Sequence, residues 1–283
     1  MRWTPGGRSA DLIDMRGSSG RRQGGGGLPI GKLGIGGTII IGLLSLVLGR
    51  NLLSGDGSQQ VASPVDDASE ERQVQFVSFV LDDAQKTWSE QLEKQTGTPY
   101  RRAKLVLFRD GVASACGFAE SAVGPFYCPP DEKVFVDLSF FRDLKDRLGA
   151  PGDFAQAYVI AHELGHHVQN VLGTDDKMRS LQRGKSKREQ NELSVRLELQ
   201  ADCLAGVWAH STGQRDLLEK GDIEEAMDAA AAVGDDRLQK MGTGHVQPET
   251  WTHGSSAMRM KWFNRGLETG QVSACDTFRE DEI

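Results

Sequence analysis

Cysteine is scarce: Cys116, Cys128, Cys203 and Cys275 are the only four in 283 residues, and none has the close spacing of a zinc knuckle. A cysteine-held structural zinc is therefore not what organises this chain. Positive charge is scarce in the body. Residues 1–32 hold six of the 33 Lys and Arg and two of the 40 Asp and Glu, a surplus of +4 that leaves −11 on the remainder. A body of that sign repels a phosphate backbone, which argues against nucleic acid as a partner.

Residues 1–32 have little apolar content and are rich in Gly, Arg and Ser, including Gly24 to Gly27, a composition that predicts a flexible tail. Charge is absent from Leu33 to Gly49, which is apolar on every face. Seventeen residues at 1.5 Å each span about 26 Å, and Leu52 and Leu53 extend the run past Arg50. Residues 33–53 thus predict one N-terminal transmembrane helix, with the lipid bilayer as partner. No Ala-x-Ala-like site follows, which argues against a cleaved signal peptide. Arg2, Arg8, Arg16, Arg21, Arg22 and Lys32 precede the run. The positive-inside rule then puts the tail in the cytoplasm and residues 71–283 on the periplasmic or extracellular side of the inner membrane. Gly, Ser, Pro and acidic residues over 54–70 suit a linker.

The body begins near Glu71. Val74, Val77, Val80, Leu81, Ala84 and Trp88 recur at helical spacing up to the break at Gly97-Thr98-Pro99. Lys104–Phe108 and Val134–Leu138 are short β-rich runs, and Lys133–Asp137 is a candidate either for an edge strand that holds an extended peptide or for a core strand. Ala226–Val233 reads as a helix, and the basic stretch from Lys177 to Arg188 as solvated surface.

Phe154, Tyr158, Ala161, Leu164, Val168 and Leu172 give residues 154–172 one apolar stripe, the mark of an amphipathic helix. It carries His162-Glu163-Leu164-Gly165-His166, the HExxH pattern. Residues four apart lie about one turn apart on nearly the same face, so His162 and His166 can bind one Zn²⁺. Glu163 beside them can act as general base on a bound water. His167 and His210 read as hydrogen-bonded or exposed histidines, not ligands. Downstream, Ser194–Trp208 reads as a second helix whose Glu198 and Asp202 share a face. Two carboxylates on a core-facing helix need positive or hydrogen-bonding partners. Glu198 is therefore the candidate third ligand, and Asp202 the acceptor that orients a ligand histidine. Small residues at Gly165, Ala201, Ala205 and Gly206 allow close helix approach.

HExxH followed by Glu198-Leu199-Gln200-Ala201-Asp202 resembles the gluzincin pattern. With Ser114–Gly117, Gly124–Pro129, Leu138–Phe141 and Cys275–Phe278, residues 71–283 resemble the bacterial putative neutral zinc metallopeptidase family. The resemblance implies a zincin-like, mainly helical α+β fold and a membrane-associated zinc endopeptidase acting on protein or peptide. Thr252-His253 followed by Arg259 is similar to a His-x-x-x-x-x-Arg element of gluzincins, with Gly254 where those carry proline. The resemblance implies that His253 donates to the oxyanion and Arg259 holds the site together, His245 being a weaker candidate for the donor. In an exported body disulfides are permitted. Twelve residues containing Gly117, Gly124 and Pro125 suit a Cys116–Cys128 pair. Cys203 and Cys275 are left to pair, with a buried free thiol at Cys203 as the alternative. The rival to an enzyme is a membrane-tethered metal-binding scaffold, which would need ligands but no Glu163.

Overall fold

The computed structural model describes residues 1–17 and 67–279. β1 (Leu12–Asp14) precedes α1 (Asp67–Thr96); β2 (Lys104–Phe108), the hairpin β3 (Gly111–Ser114) and β4 (Gly117–Glu120), β5 (Phe126–Cys128) and β6 (Lys133–Asp137) follow. The remainder is helical: α2 (Ser139–Asp146), α3 (Asp153–Val171), α4 (Thr174–Gln182), α5 (Lys187–Gln214), α6 (Asp222–Ala232), α7 (Asp235–Thr243) and α8 (Ser256–Thr269). The expected mainly helical α+β class is what forms.

The main sheet runs β1-β2-β6-β5, with β1, β2 and β6 parallel and β5 antiparallel to β6. Leu105 and Leu107 of β2 sit level with Val134 and Val136 of β6, all fully buried in the larger core with α1, α3 and α6. Of the two alternatives, Lys133–Asp137 is thus the core strand; the edge position falls to the short β5, which ends on Cys128 of the Cys116–Cys128 disulfide.

The expected N-terminal transmembrane helix is set aside, and with it the bilayer as partner and the single-pass placement outside the inner membrane. Residues 33–53 lie outside the described residues, and no helix among the described residues is long and apolar enough to cross a membrane. The described residues before the run, 1–17, are part of the same body as residues 67–279. Leu12, Ile13 and Asp14 pair with Leu105, Val106 and Leu107. Met1 is buried in the main core, its backbone nitrogen 2.6 Å from Asp153 Oδ1 and 3.1 Å from Asp222 Oδ1. Asp11 accepts from Gln85 Nε2, Arg102 Nε and Lys104 Nζ at 2.9, 2.6 and 2.6 Å. A single crossing by residues 33–53 would place these partners on opposite sides of a bilayer. For the same reason residues 1–14 are not the flexible tail that their composition suggests.

α5 is longer than the apolar pattern from Ser194 implies, because Ser186 and Glu189 form a capping box at its start. Glycine sets the distances between the site helices. A Cβ on Gly165 of α3 would stand 2.9 Å from the Ala201 carbonyl of α5, the close approach expected of that pair. Gly206 serves α8 instead: its Cβ would stand 2.0 Å from the Phe263 carbonyl oxygen, and one on Gly266 1.9 Å from that of Cys203. Backbones this close bring Arg259 over Asp202. Both cysteine pairs are disulfides, Cys116–Cys128 and Cys203–Cys275, the second fastening the chain after α8 to α5.

Candidate metal centre and active site

α3 presents His162 and His166 with ring centroids 4.8 Å apart and planes nearly perpendicular. Glu198 of α5 reaches both: Oε2 is 3.2 Å from His162 Nε2, and Oε1 is 3.6 Å from His166 Nε2. Donors about 2.1 Å from a common tetrahedral cation stand about 3.4 Å from one another, so these separations fit Zn²⁺. Two imidazoles and a carboxylate are also the nitrogen and oxygen set that zinc prefers at an open site.

Each histidine is aimed by its other nitrogen. His162 Nδ1–H donates to Asp202 Oδ1 at 2.8 Å, and His166 Nδ1–H donates to Gln169 Oε1 at 2.8 Å. Gln169 is itself fixed, donating to the Leu197 carbonyl at 2.7 Å and to Gln200 Oε1 at 3.1 Å. Both Nε2 lone pairs therefore turn toward Glu198, the outer-shell arrangement that fixes tautomer and raises ligand basicity.

Asp202 is fully buried and fully engaged. Beyond His162, it accepts from Tyr158 Oη at 2.5 Å and from Arg259 Nε and Nη2 at 2.8 and 2.9 Å. Burial opposes its charge, yet Arg259 and His162 outweigh burial and hold its pKa down at about 2. Likewise, burial opposes protonation of His166, but Glu198 pushes its pKa up to about 10. A cation bound there would take the place of that proton, since a ligand imidazole must be neutral. Glu198 stays well below the usual carboxylate range despite burial, drawn down by His166 and His253.

Glu163 points into the same cleft and makes no hydrogen bond among the described residues. Burial raises its pKa, against the pull of His162 and His166. Across the cleft, His253 Nδ1–H donates to Asp235 Oδ1 at 3.2 Å. Asp235 Oδ2 also accepts the backbone N–H groups of Thr252, His253 and Gly254 at 2.7, 2.7 and 3.1 Å. His253 Nε2 is buried without a partner. Gly254 has φ +86°, a left-handed conformation closed to proline, which accounts for glycine at that position. His245 does not line the cleft, and His210 Nδ1 donates to the Leu267 carbonyl at 2.7 Å, away from it.

The cleft encloses about 330 Å³ and is walled by apolar side chains, among them Phe118, Val123, Phe126, Phe140, Val159 and Leu238. The sequence brought His162, Glu163, His166, Glu198, Asp202, His253 and Arg259 into consideration, and the fold brings all seven to this cleft or its wall. It did not mark Tyr158, Gln169 or Asp235 for chemistry. Gln169 had a signal, its position three residues after His166 on the same helix; Tyr158 was hidden in the apolar stripe.

A family model of putative neutral zinc metallopeptidases matches residues 1–278. The chain belongs to that family. It is 47% identical over 288 aligned residues to the uncharacterized protein YpfJ of Escherichia coli K12, covering 98% of this chain and 99% of the relative. It is 47% identical over 195 residues to the uncharacterized protein Rv2575 of Mycobacterium tuberculosis H37Rv, 65% of each chain. No solved structure matches. For a member of a zinc metallopeptidase family, the two histidines of α3 and the carboxylate of α5 are the residues present that suit the metal. A second acidic group, Asp153, Asp222 and Glu225, is taken up otherwise: two of its members face the Met1 nitrogen and Glu225 accepts from Phe154 N–H at 3.0 Å.

Proposed function

We infer that the chain is a zinc-dependent endopeptidase, with zinc on His162, His166 and Glu198 and an extended peptide as substrate. Bound zinc would supply a Lewis acid that acidifies water and polarises the scissile carbonyl. Glu163 takes a proton from the attacking water and delivers it to the leaving amine. His253, held as the imidazolium because Glu198 and Asp235 raise its pKa against burial, donates from Nε2–H to the carbonyl oxygen as negative charge builds there, while Nδ1–H stays bonded to Asp235 and keeps the ring aimed. Asp202 and Gln169 hold the ligand rings, while Arg259 and Tyr158 compensate the buried charge of Asp202. β5, at the end of the sheet beside the cleft, offers a backbone edge on which a peptide can lie extended.

The observation that carries this reading is the buried, unbonded Glu163 beside the His162–His166–Glu198 cluster and facing an open cleft. A structural metal needs its ligands but no such carboxylate, which burial disfavours and only the neighbouring His162 and His166 offset. The test is hydrolysis of a quenched peptide library by the zinc-loaded protein with and without a chelator. Chelator-sensitive cleavage that is lost in Glu163→Gln supports the reading; a zinc-loaded protein that cleaves nothing leaves a metal-binding module instead.

A further inference from the structure

His167 follows the second ligand histidine but turns away from the metal cluster and is fully buried. Its Nε2 lies 2.6 Å from the Arg101 carbonyl oxygen, which can only accept, so Nε2 carries the proton. Nδ1 of the neutral ring then accepts, and its partner at 2.9 Å is the hydroxyl of Tyr127. That hydroxyl donates to His167 and accepts in turn from Asn170 Nδ2 at 3.0 Å. Each of these polar atoms is satisfied, so the chain of bonds has one orientation. The rings of Tyr100 and Tyr127 stand edge-on to His167 at 5.5 and 5.4 Å.

Tyr127 is the middle residue of β5. Its neighbours turn to the other face of the strand, where Phe126 stacks on Phe135 at 4.8 Å and Cys128 is bonded to Cys116. Tyr127 is thus the residue by which β5 grips the metal-binding helix α3. Nothing in hydrolysis itself uses His167, yet it occupies a fully bonded position between the helix that carries the ligands and the strand at the sheet's edge.

We propose that His167 is a positioning residue that acts through Tyr127 to hold β5 in fixed register against α3, and so sets where an extended peptide lies relative to the reacting centre. Its effect on hydrolysis rests on the endopeptidase reading; its effect on β5 does not. Two readouts separate them. In the full-length, zinc-loaded protein, Tyr127→Phe should raise KM about tenfold for a peptide of about eight residues, with kcat and zinc content unchanged. A minimal substrate too short to pair with β5 should show no change. His167→Ala combined with Tyr127→Phe should raise KM no further than His167→Ala alone, because the two act as one link. Independently of any activity, hydrogen exchange at the β5 amides that bond to β6 should quicken about tenfold in Tyr127→Phe while α3 keeps its protection. Unchanged exchange at β5 would overturn the proposal, as would a fall in kcat on long and short substrates alike. If the unaltered protein hydrolyses nothing, the endopeptidase reading fails and the exchange comparison still decides the role of His167.

Discussion

Asp235 accepts from His253 Nδ1–H and from three successive backbone N–H groups; burial opposes charge on the ring, but Glu198 and Asp235 raise its pKa, and in the resulting imidazolium Nε2–H is a buried donor with no partner. A buried polar atom normally costs free energy unless bonded, so an unbonded donor facing a cleft suits a bond that forms during reaction. We predict that His253→Ala keeps its zinc, leaves KM nearly unchanged and lowers kcat about a hundredfold. Wild-type kcat in steady-state measurements on that variant would remove His253 from the oxyanion's surroundings.

A second prediction concerns Arg259, whose guanidinium makes a two-pronged contact with Asp202 inside the core. Removing one partner of a buried pair leaves an uncompensated charge, so Arg259→Ala should lose about 3–5 kcal/mol in denaturant unfolding. Zinc affinity should fall as well, since Asp202 then binds His162 without its counter-charge. A loss under about 1 kcal/mol with zinc affinity intact would contradict this account of the pair.

The pH dependence follows from Asp202. Its ordinary pKa of 3.8 is held down at about 2 in the fold. The unfolded chain therefore takes up this proton first as pH falls. The stability it confers is complete above about 4 and drains away between about 4 and 2. Denaturant midpoints across that window should flatten in Asp202→Asn; an unchanged acid slope would assign the loss to other groups.

Asp11 tests the placement of the first residues. It accepts from Gln85, Arg102 and Lys104, tying the segment before β1 to α1 and β2. Asp11→Ala should destabilise the protein by about 1–3 kcal/mol and make residues 1–17 susceptible to protease. Unaltered stability and protection would detach this segment from the body.

What could be read from the sequence was what is local. His162, Glu163 and His166 are fixed relative to one another by a single helix, and Glu198 and Asp202 by another, so spacing alone declares them. Tyr158 and Gln169 lie on the same helix, but apolar periodicity counts a tyrosine as a hydrophobe and does not register an amide. Asp235 meets His253 across 18 residues of chain, which no local pattern records. β1 and β5 are three residues each, too short for an alternation to show. The charge-free run from Leu33 to Gly49 read as a span because hydropathy is blind to the pairing of β1 with β2, which places Leu12–Asp14 and Leu105–Leu107, on either side of that run in the chain, in one sheet.

The central claim is that Glu198 holds zinc while Glu163 moves protons, and zinc content measured alongside peptidase activity tests it most directly. Glu198→Gln should lose both metal and activity, whereas Glu163→Gln should keep about one zinc per chain and lose activity. Full zinc occupancy in Glu198→Ala, or undiminished cleavage by Glu163→Gln, would contradict the assignment.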